Sequence, residues 1–174
     1  MAPDRRDALI LGATGLGALV AGSVVGALAL QSGSGAAGLL AASFVDLSGR
    51  RRPLREWRGR VLLCNFWATW CEPCQEEIPL LDAAQQQYLA YGLTIVGIGI
   101  DSAEKIRQFS AKYRIGYSIL VGNAEALTLL RRLGNRSGGL PYSVLLDRNG
   151  ALSSRKLGAF ARDELEQVLA GMLR

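Results

Sequence analysis

The sequence predicts an α/β sandwich built on a mixed sheet, and three observations predict it. Val61 to Trp67 (VLLCNFW) and Leu93 to Ile100 (LTIVGIGI) are near-continuous apolar runs of strand length. That is the pattern of strands buried on both faces of a sheet. Each is followed by a segment of helical character, and the chain closes with a strand, a turn, a strand and a helix. Alternating strands and helices that end in a hairpin require a sheet with both parallel and antiparallel pairs.

The elements follow in order. Phe44 to Leu47 and Arg52 to Leu54 flank Ser48-Gly49, a turn signal, and predict a short N-terminal β-hairpin. Val61 to Trp67 is the first buried strand. Helix is predicted from Pro73 to Tyr91, interrupted by a kink at Pro79, with Gly92 as its C-cap. Leu93 to Ile100 is the second buried strand, rich in β-branched residues. Asp101 or Ser102 caps a helix over Ala103 to Tyr113. Tyr117 to Val121 is a strand, and Ala124 to Leu133 is a helix ended by Gly134. Tyr142 to Asp147 and Leu152 to Leu157 are strands joined at Arg148-Asn149-Gly150. Arg162 to Leu173 is a closing amphipathic helix.

The first 43 residues differ in kind. From Ala8 to Leu30 the chain is apolar but for Thr14 and Ser23. As a helix this run would rise about 35 Å, enough to cross a bilayer core of about 30 Å. Residues 1–30 are therefore expected to be a signal anchor, or a signal peptide cleaved near the small-x-small site Ala27-Leu28-Ala29. The anchor is favoured, although the arginines from Arg50 onward would then lie outside, against the positive-inside bias. Arg5-Arg6 hints at twin-arginine export, but Asp7 follows directly and weakens the signal. Residues 31–43, rich in Gly, Ala and Ser, read as a flexible linker, and residues 44–174 as the folded domain. Either way the domain works outside the reducing cytosol, on the extracytoplasmic side of the inner membrane. There a dithiol must be kept reduced by a dedicated donor.

Composition removes several functions. The chain of 174 residues contains no histidine. Histidine general bases, Cys-His nucleophiles and histidine-held metals are thereby excluded. Three cysteines are too few for a disulfide scaffold. The net charge of +5 is concentrated in Arg50, Arg51, Arg52, Arg55, Arg58 and Arg60. That segment lacks the aromatic interleaving or helical spacing of a base-reading surface, so no nucleic-acid partner is expected.

Cys71 and Cys74 form a Cys-x-x-Cys whose placement carries the chemistry. Cys71 follows a buried strand by one short loop and opens a helix. Unpaired backbone N–H groups and the positive end of the helix dipole favour an anion there. The thiolate is the attacking species, so Cys71 is the nucleophile and Cys74, one turn inside, the resolving thiol. Pro73 suits an early helical position. Glu72 places a negative charge beside the pair and partly opposes thiolate formation. A static disulfide remains open at this point, as does half of a zinc site, although the latter lacks a second ligand pair. Cys64 alternates with Asn65, so it faces away from the dithiol and reads as a buried, inert thiol, a regulatory or interchain disulfide being the alternative.

The run Asn65-Phe-Trp-Ala-Thr-Trp-Cys-Glu-Pro-Cys74, with Glu77-Ile-Pro79, Gly97 to Asp101 and Gly139-Leu-Pro141-Tyr142 to Asp147, closely resembles the TlpA/ResA-like (DsbE/CcmG-related) branch of the thioredoxin superfamily. The resemblance covers nearly all of Phe44 to Arg174. It implies a thioredoxin fold with an N-terminal β-hairpin extension, and a protein-disulfide reductase with no cofactor and no bound metal. It implies that Pro141 is the cis-proline beside the dithiol, its alternative being an ordinary loop proline. Leu140 would then offer backbone groups to an extended substrate. It implies that Trp70 shields the Cys71 sulfur and, with Glu72 and Pro73, meets the substrate, while Trp67 packs. Asn65 stands where thioredoxins carry a buried acid that assists deprotonation of Cys74, and an amide cannot accept that proton. Glu77 is then the candidate that tunes the dithiol or acts as its base, its alternative being a solvated helix glutamate.

The partners implied are a disulfide-containing exported protein, with the Cys-x-x-Cys-His of apocytochrome c first in line, and a membrane thiol donor of the DsbD/CcdA kind. Two other functions compete. A peroxiredoxin-like peroxide reductase needs Thr or Ser three residues before its reactive cysteine, where this chain has Ala68. A Cu(I) carrier in metal-centre assembly would have only a bare dithiol, for the sequence has no histidine and no Met-rich ligand set.

Overall fold

The computed structural model describes residues 35–173. Its sheet has seven strands in the order β2-β1-β5-β4-β3-β6-β7. At its centre β3 (Val61–Trp67) and β4 (Leu93–Gly99) are buried at every residue, as their unbroken apolar sequences predict. They pair in parallel, and β4 pairs in parallel with β5 (Ser118–Val121). On the other side of β3 run β6 (Tyr142–Leu146) and the edge strand β7 (Leu152–Leu157), both joined by antiparallel pairing. β1 (Ser43–Asp46) and β2 (Arg51–Pro53) pair antiparallel with one another, and β1 pairs with β5. This is the mixed sheet the alternation predicts.

Side-chain alternation along β3 divides the core in two. Val61, Leu63 and Trp67 join one apolar cluster, with side chains of α2 (Glu72–Tyr88), α3 (Ala103–Lys112) and α5 (Arg162–Met172). Leu62, Cys64 and Phe66 join the other, with α4 (Ala124–Arg132) and a helical segment α1 (residues 35–41). Helix α2 passes through Pro79 without ending, continues as a 3-10 turn, and is stopped by Gly92 at φ 94°. Ser102 caps α3 through its side chain. Gly97 is needed on β4 by close approach: a Cβ there would lie 2.8 to 3.0 Å from Ile119, Tyr117 and the Trp67 indole. In the arginine-rich segment, Arg50 and Arg52 pair with Asp46, and Arg52 also with Glu56.

One boundary is corrected. The linker expected over residues 31–43 is helical over 35–41, and Gly35 onward belongs to the folded unit. Leu39 is fully buried and Ala36 nearly so. The composition of Gly35 to Ala42 reads as low complexity. Its apolar residues nonetheless recur at helical spacing, Ala36, Leu39 and Leu40, and that stripe packs on the sheet. Leu39→Ala is expected to cost about 2–4 kcal/mol, the range for truncating a buried leucine. It should appear as a Tm loss of roughly 6–15 °C in calorimetry of the domain. An unchanged Tm would return these residues to the linker. Among the described residues no helix is long and apolar enough to cross a membrane. The run Ala8 to Leu30, on which the anchor and signal-peptide expectations rest, lies outside them.

Candidate active site

Cys71 is the N-cap of α2, with extended backbone at φ −92°, and Pro73 sits in the first helical turn. The local fold follows from the sequence: the strand ends at Trp67, a turn of three residues follows, and Pro73 supplies a fixed φ where its missing N–H is no loss. Cys71 and Cys74 are joined in a disulfide. The Cys71 carbonyl accepts from the backbone N–H groups of Cys74 and Gln75 at 3.1 Å each. Cys71 is 6% exposed and Cys74 1%, so the sulfur at the helix end is the one nearer to solvent.

The surroundings sort the remaining candidates. Trp70 is 68% exposed and carries a large apolar surface beside the disulfide. A tryptophan so solvated is a contact surface as much as a shield. Glu72 and Pro73 are exposed as well. The Leu140–Pro141 bond is cis, and Leu140 packs against the cluster that contains both cysteines. Two features beyond those predicted hold this loop. The Asn135 side chain donates to the Gly139 carbonyl at 2.8 Å and accepts from Ser137 and Gly138, and the Tyr142 hydroxyl donates to the Leu133 carbonyl at 2.7 Å. The Cys71 loop is likewise tied down: Thr69 donates to Asp101, and Gln75 donates to the Thr69 carbonyl.

Glu77 is not a solvated helix residue. It lies three residues after Cys74 on the same face of α2 and is only 2% exposed. Asn65 Nδ2 donates to Glu77 Oε2 at 3.0 Å and to Ser143 Oγ at 3.0 Å. The backbone N–H of Phe160 donates to Glu77 Oε1 at 2.8 Å. Burial raises the Glu77 pKa above its ordinary 4.5, while the Phe160 N–H, the Asn65 amide and the Lys156 charge restrain the rise. A carboxyl so placed can exchange a proton nearer to neutral pH than a solvated glutamate can.

Asn65 thus does not replace the thioredoxin acid; it orients a different one. The sequence shows Glu77 and Asn65, but Ser143, Phe160 and Lys156 enter only through strand pairing and a backbone N–H. Cys64 is fully buried in the opposite cluster, where burial pushes its thiol pKa up to about 12. It is protonated and unreactive at neutral pH. Among the described residues, no group of three or more His, Cys, Asp or Glu side chains gathers to hold a metal ion.

A family model described as the AhpC/TSA family matches residues 39–160. The chain belongs to the AhpC/TSA family. Within it the similarity points to one branch. The thioredoxin-like protein YneN of Bacillus subtilis is 32% identical over 135 residues, covering 73% of this chain and 74% of that protein. The thiol-disulfide oxidoreductase ResA of Bacillus cereus is 28% identical over 126 residues, covering 71% and 70%. A crystal structure of a DsbE-type thiol:disulfide interchange protein from Chlorobium tepidum superposes with a TM-score of 0.68 at 26% identity, over 76% of this chain and 93% of that one. A secreted thiol-disulfide isomerase from Corynebacterium glutamicum shares the fold, with a TM-score of 0.69 at 20% identity over 78% and 84%. This AhpC/TSA-family chain is a TlpA/ResA-like member of the thioredoxin superfamily, with the thioredoxin fold. It is a thiol–disulfide oxidoreductase acting on disulfide-containing substrates.

Proposed function

We propose that the protein is a membrane-tethered reductant of disulfides in exported proteins, apocytochrome c first among them, and that a membrane thiol donor of the DsbD/CcdA kind re-reduces it. The observation that carries the dithiol exchange is the buried Glu77 carboxylate one turn from Cys74, held by Asn65 and Phe160, and the reductive direction rests on the resemblance to the TlpA/ResA-like branch. The Cys71 thiolate attacks one sulfur of the substrate disulfide, forming a mixed disulfide and releasing the other sulfur as a thiolate. Cys74 then gives its proton to Glu77. The Cys74 thiolate attacks Cys71 Sγ, closes the Cys71–Cys74 bond and displaces the second substrate thiolate. Two electrons pass from the dithiol to the substrate. Trp70, Glu72 and Pro73 form the exposed rim that meets the substrate chain, and Leu140 and Pro141 supply the backbone edge on its other side.

The extracytoplasmic location rests on the apolar run Ala8 to Leu30. Peroxide reduction is disfavoured by Ala68, buried and without a hydroxyl three residues before Cys71. The reduction potential tests the direction of flow. A reductant is expected toward the thioredoxin end of the scale, about −270 mV, and a value around −120 mV, as for a strong oxidant, would reverse the assignment. Equilibration with glutathione buffers, read by thiol alkylation and mass spectrometry, gives that value.

A further inference from the structure

Asn65 on β3, Ser143 on β6 and Lys156 on β7 are direct cross-strand partners in three adjacent strands. They form one row across the sheet, and Asn65 and Ser143 are joined in it by a hydrogen bond. Glu77 reaches this row from α2. At the outer end of the row, Lys156 Nζ lies 2.8 Å from the Glu164 carboxylate of α5 and 5.4 Å from the centre of the Phe160 ring. Phe160 is itself buried, and its backbone N–H is the one on Glu77 Oε1. The ion pair therefore clamps the segment between β7 and α5 over the inner carboxylate.

We propose that Lys156 is a positioning residue of the redox site: held by Glu164 and seated on the Phe160 ring, it fixes the Phe160 N–H on Glu77 and so sets the proton exchange between Glu77 and Cys74. The inference rests on the reading of Glu77 as the base for Cys74. The charged and titratable groups around Glu77 are Lys156 from β7, Glu164 from α5, Tyr117 beside β5 and the thiols of α2; Asn65 and Ser143 face it as neutral groups. Removing Lys156 takes away a cation and frees the Glu164 anion. Both changes favour the protonated form of Glu77. The pH at which Glu77 becomes a competent base must then rise.

The test uses the reduced protein and 5,5′-dithiobis(2-nitrobenzoate). Cys71 releases the first nitrothiolate, and resolution by Cys74 releases the second, so the two phases report the two steps separately. In Lys156→Met the midpoint of the second phase against pH should move up by about half a unit to one unit, the ion pair being partly solvent-screened. Below the midpoint the second phase should slow by about 3–10-fold, the same shift read as a rate. The first phase should be unchanged, and Lys156→Arg should restore the wild-type profile. Should Lys156→Met fold poorly, Lys156→Gln replaces it, with the same shift expected. If the lysine variants superimpose on wild type while Glu77→Gln departs from it, the role of Lys156 is wrong. If Glu77→Gln itself matches wild type, the reading of Glu77 as base falls, and this inference with it.

Discussion

Cys74→Ser is expected to accumulate a mixed disulfide between Cys71 and its substrate, with steady-state disulfide reduction falling by about 10³-fold or more, the scale seen when an acting nucleophile is removed. Cys71 would keep its place at the N-terminus of α2, where the helix end stabilises its thiolate. The first attack therefore proceeds. The second cannot, because a serine hydroxyl at position 74 is not ionised near neutral pH and does not displace a sulfur. Cys71→Ser should give no adduct, since Cys74 is 1% exposed inside the helix. Intact-mass spectrometry of protein exposed to a disulfide-bonded peptide distinguishes the two variants. Adducts through Cys74 in Cys71→Ser, in similar yield, would invert the order of attack.

Glu77→Gln should slow resolution of the mixed disulfide by about 10²-fold at neutral pH, the lower end of what a positioned base contributes. The same substitution should leave the protein folded and more stable at neutral pH. Glutamine keeps an oxygen for the Phe160 N–H. Its amide meets Asn65, whose side chain can turn over to accept from it while still bonding Ser143. The sign of the pH effect follows from the direction of the shift. The folded state holds the Glu77 proton more tightly than the unfolded chain does, because burial disfavours the carboxylate. This group's contribution to stability is thus fully present below the ordinary value of 4.5 and is lost as pH rises through the raised folded value. Chemical denaturation of the oxidised protein across that window should show stability falling in wild type and flatter in Glu77→Gln. Loss of activity together with an unchanged slope would mean that the folded site holds the Glu77 proton no more tightly than the unfolded chain does, and the raised pKa would fall.

The two experiments address different parts of the molecule, and those parts were not equally legible in the sequence. Cys71 and Cys74 could be read directly. A buried strand, a short loop and a helix opened by Pro73 are all local features, and local features fix the N-cap position that activates a thiol. The sheet centre was equally plain, since VLLCNFW and LTIVGIGI are apolar at every step. The resemblance to the TlpA/ResA-like branch also singled out Glu77. It could not tell whether water reaches that residue.

The α/β alternation, the dithiol and the side of the strand on which Cys64 is hidden all follow from local pattern. The burial of Glu77, its hydrogen bond from Asn65 and the place of residues 35–41 in the domain arise only when the sheet and helices assemble. Burial of Glu77 depends on Phe160 and Lys156, more than 70 residues downstream, coming to lie over α2. Strand pairing set that arrangement: β7 is brought beside β3 only through β6, and no local pattern encodes which residues of three strands will share one row. The helical segment before β1 follows the same rule. Its small apolar residues are ambiguous alone and become core once a sheet is there to receive Leu39.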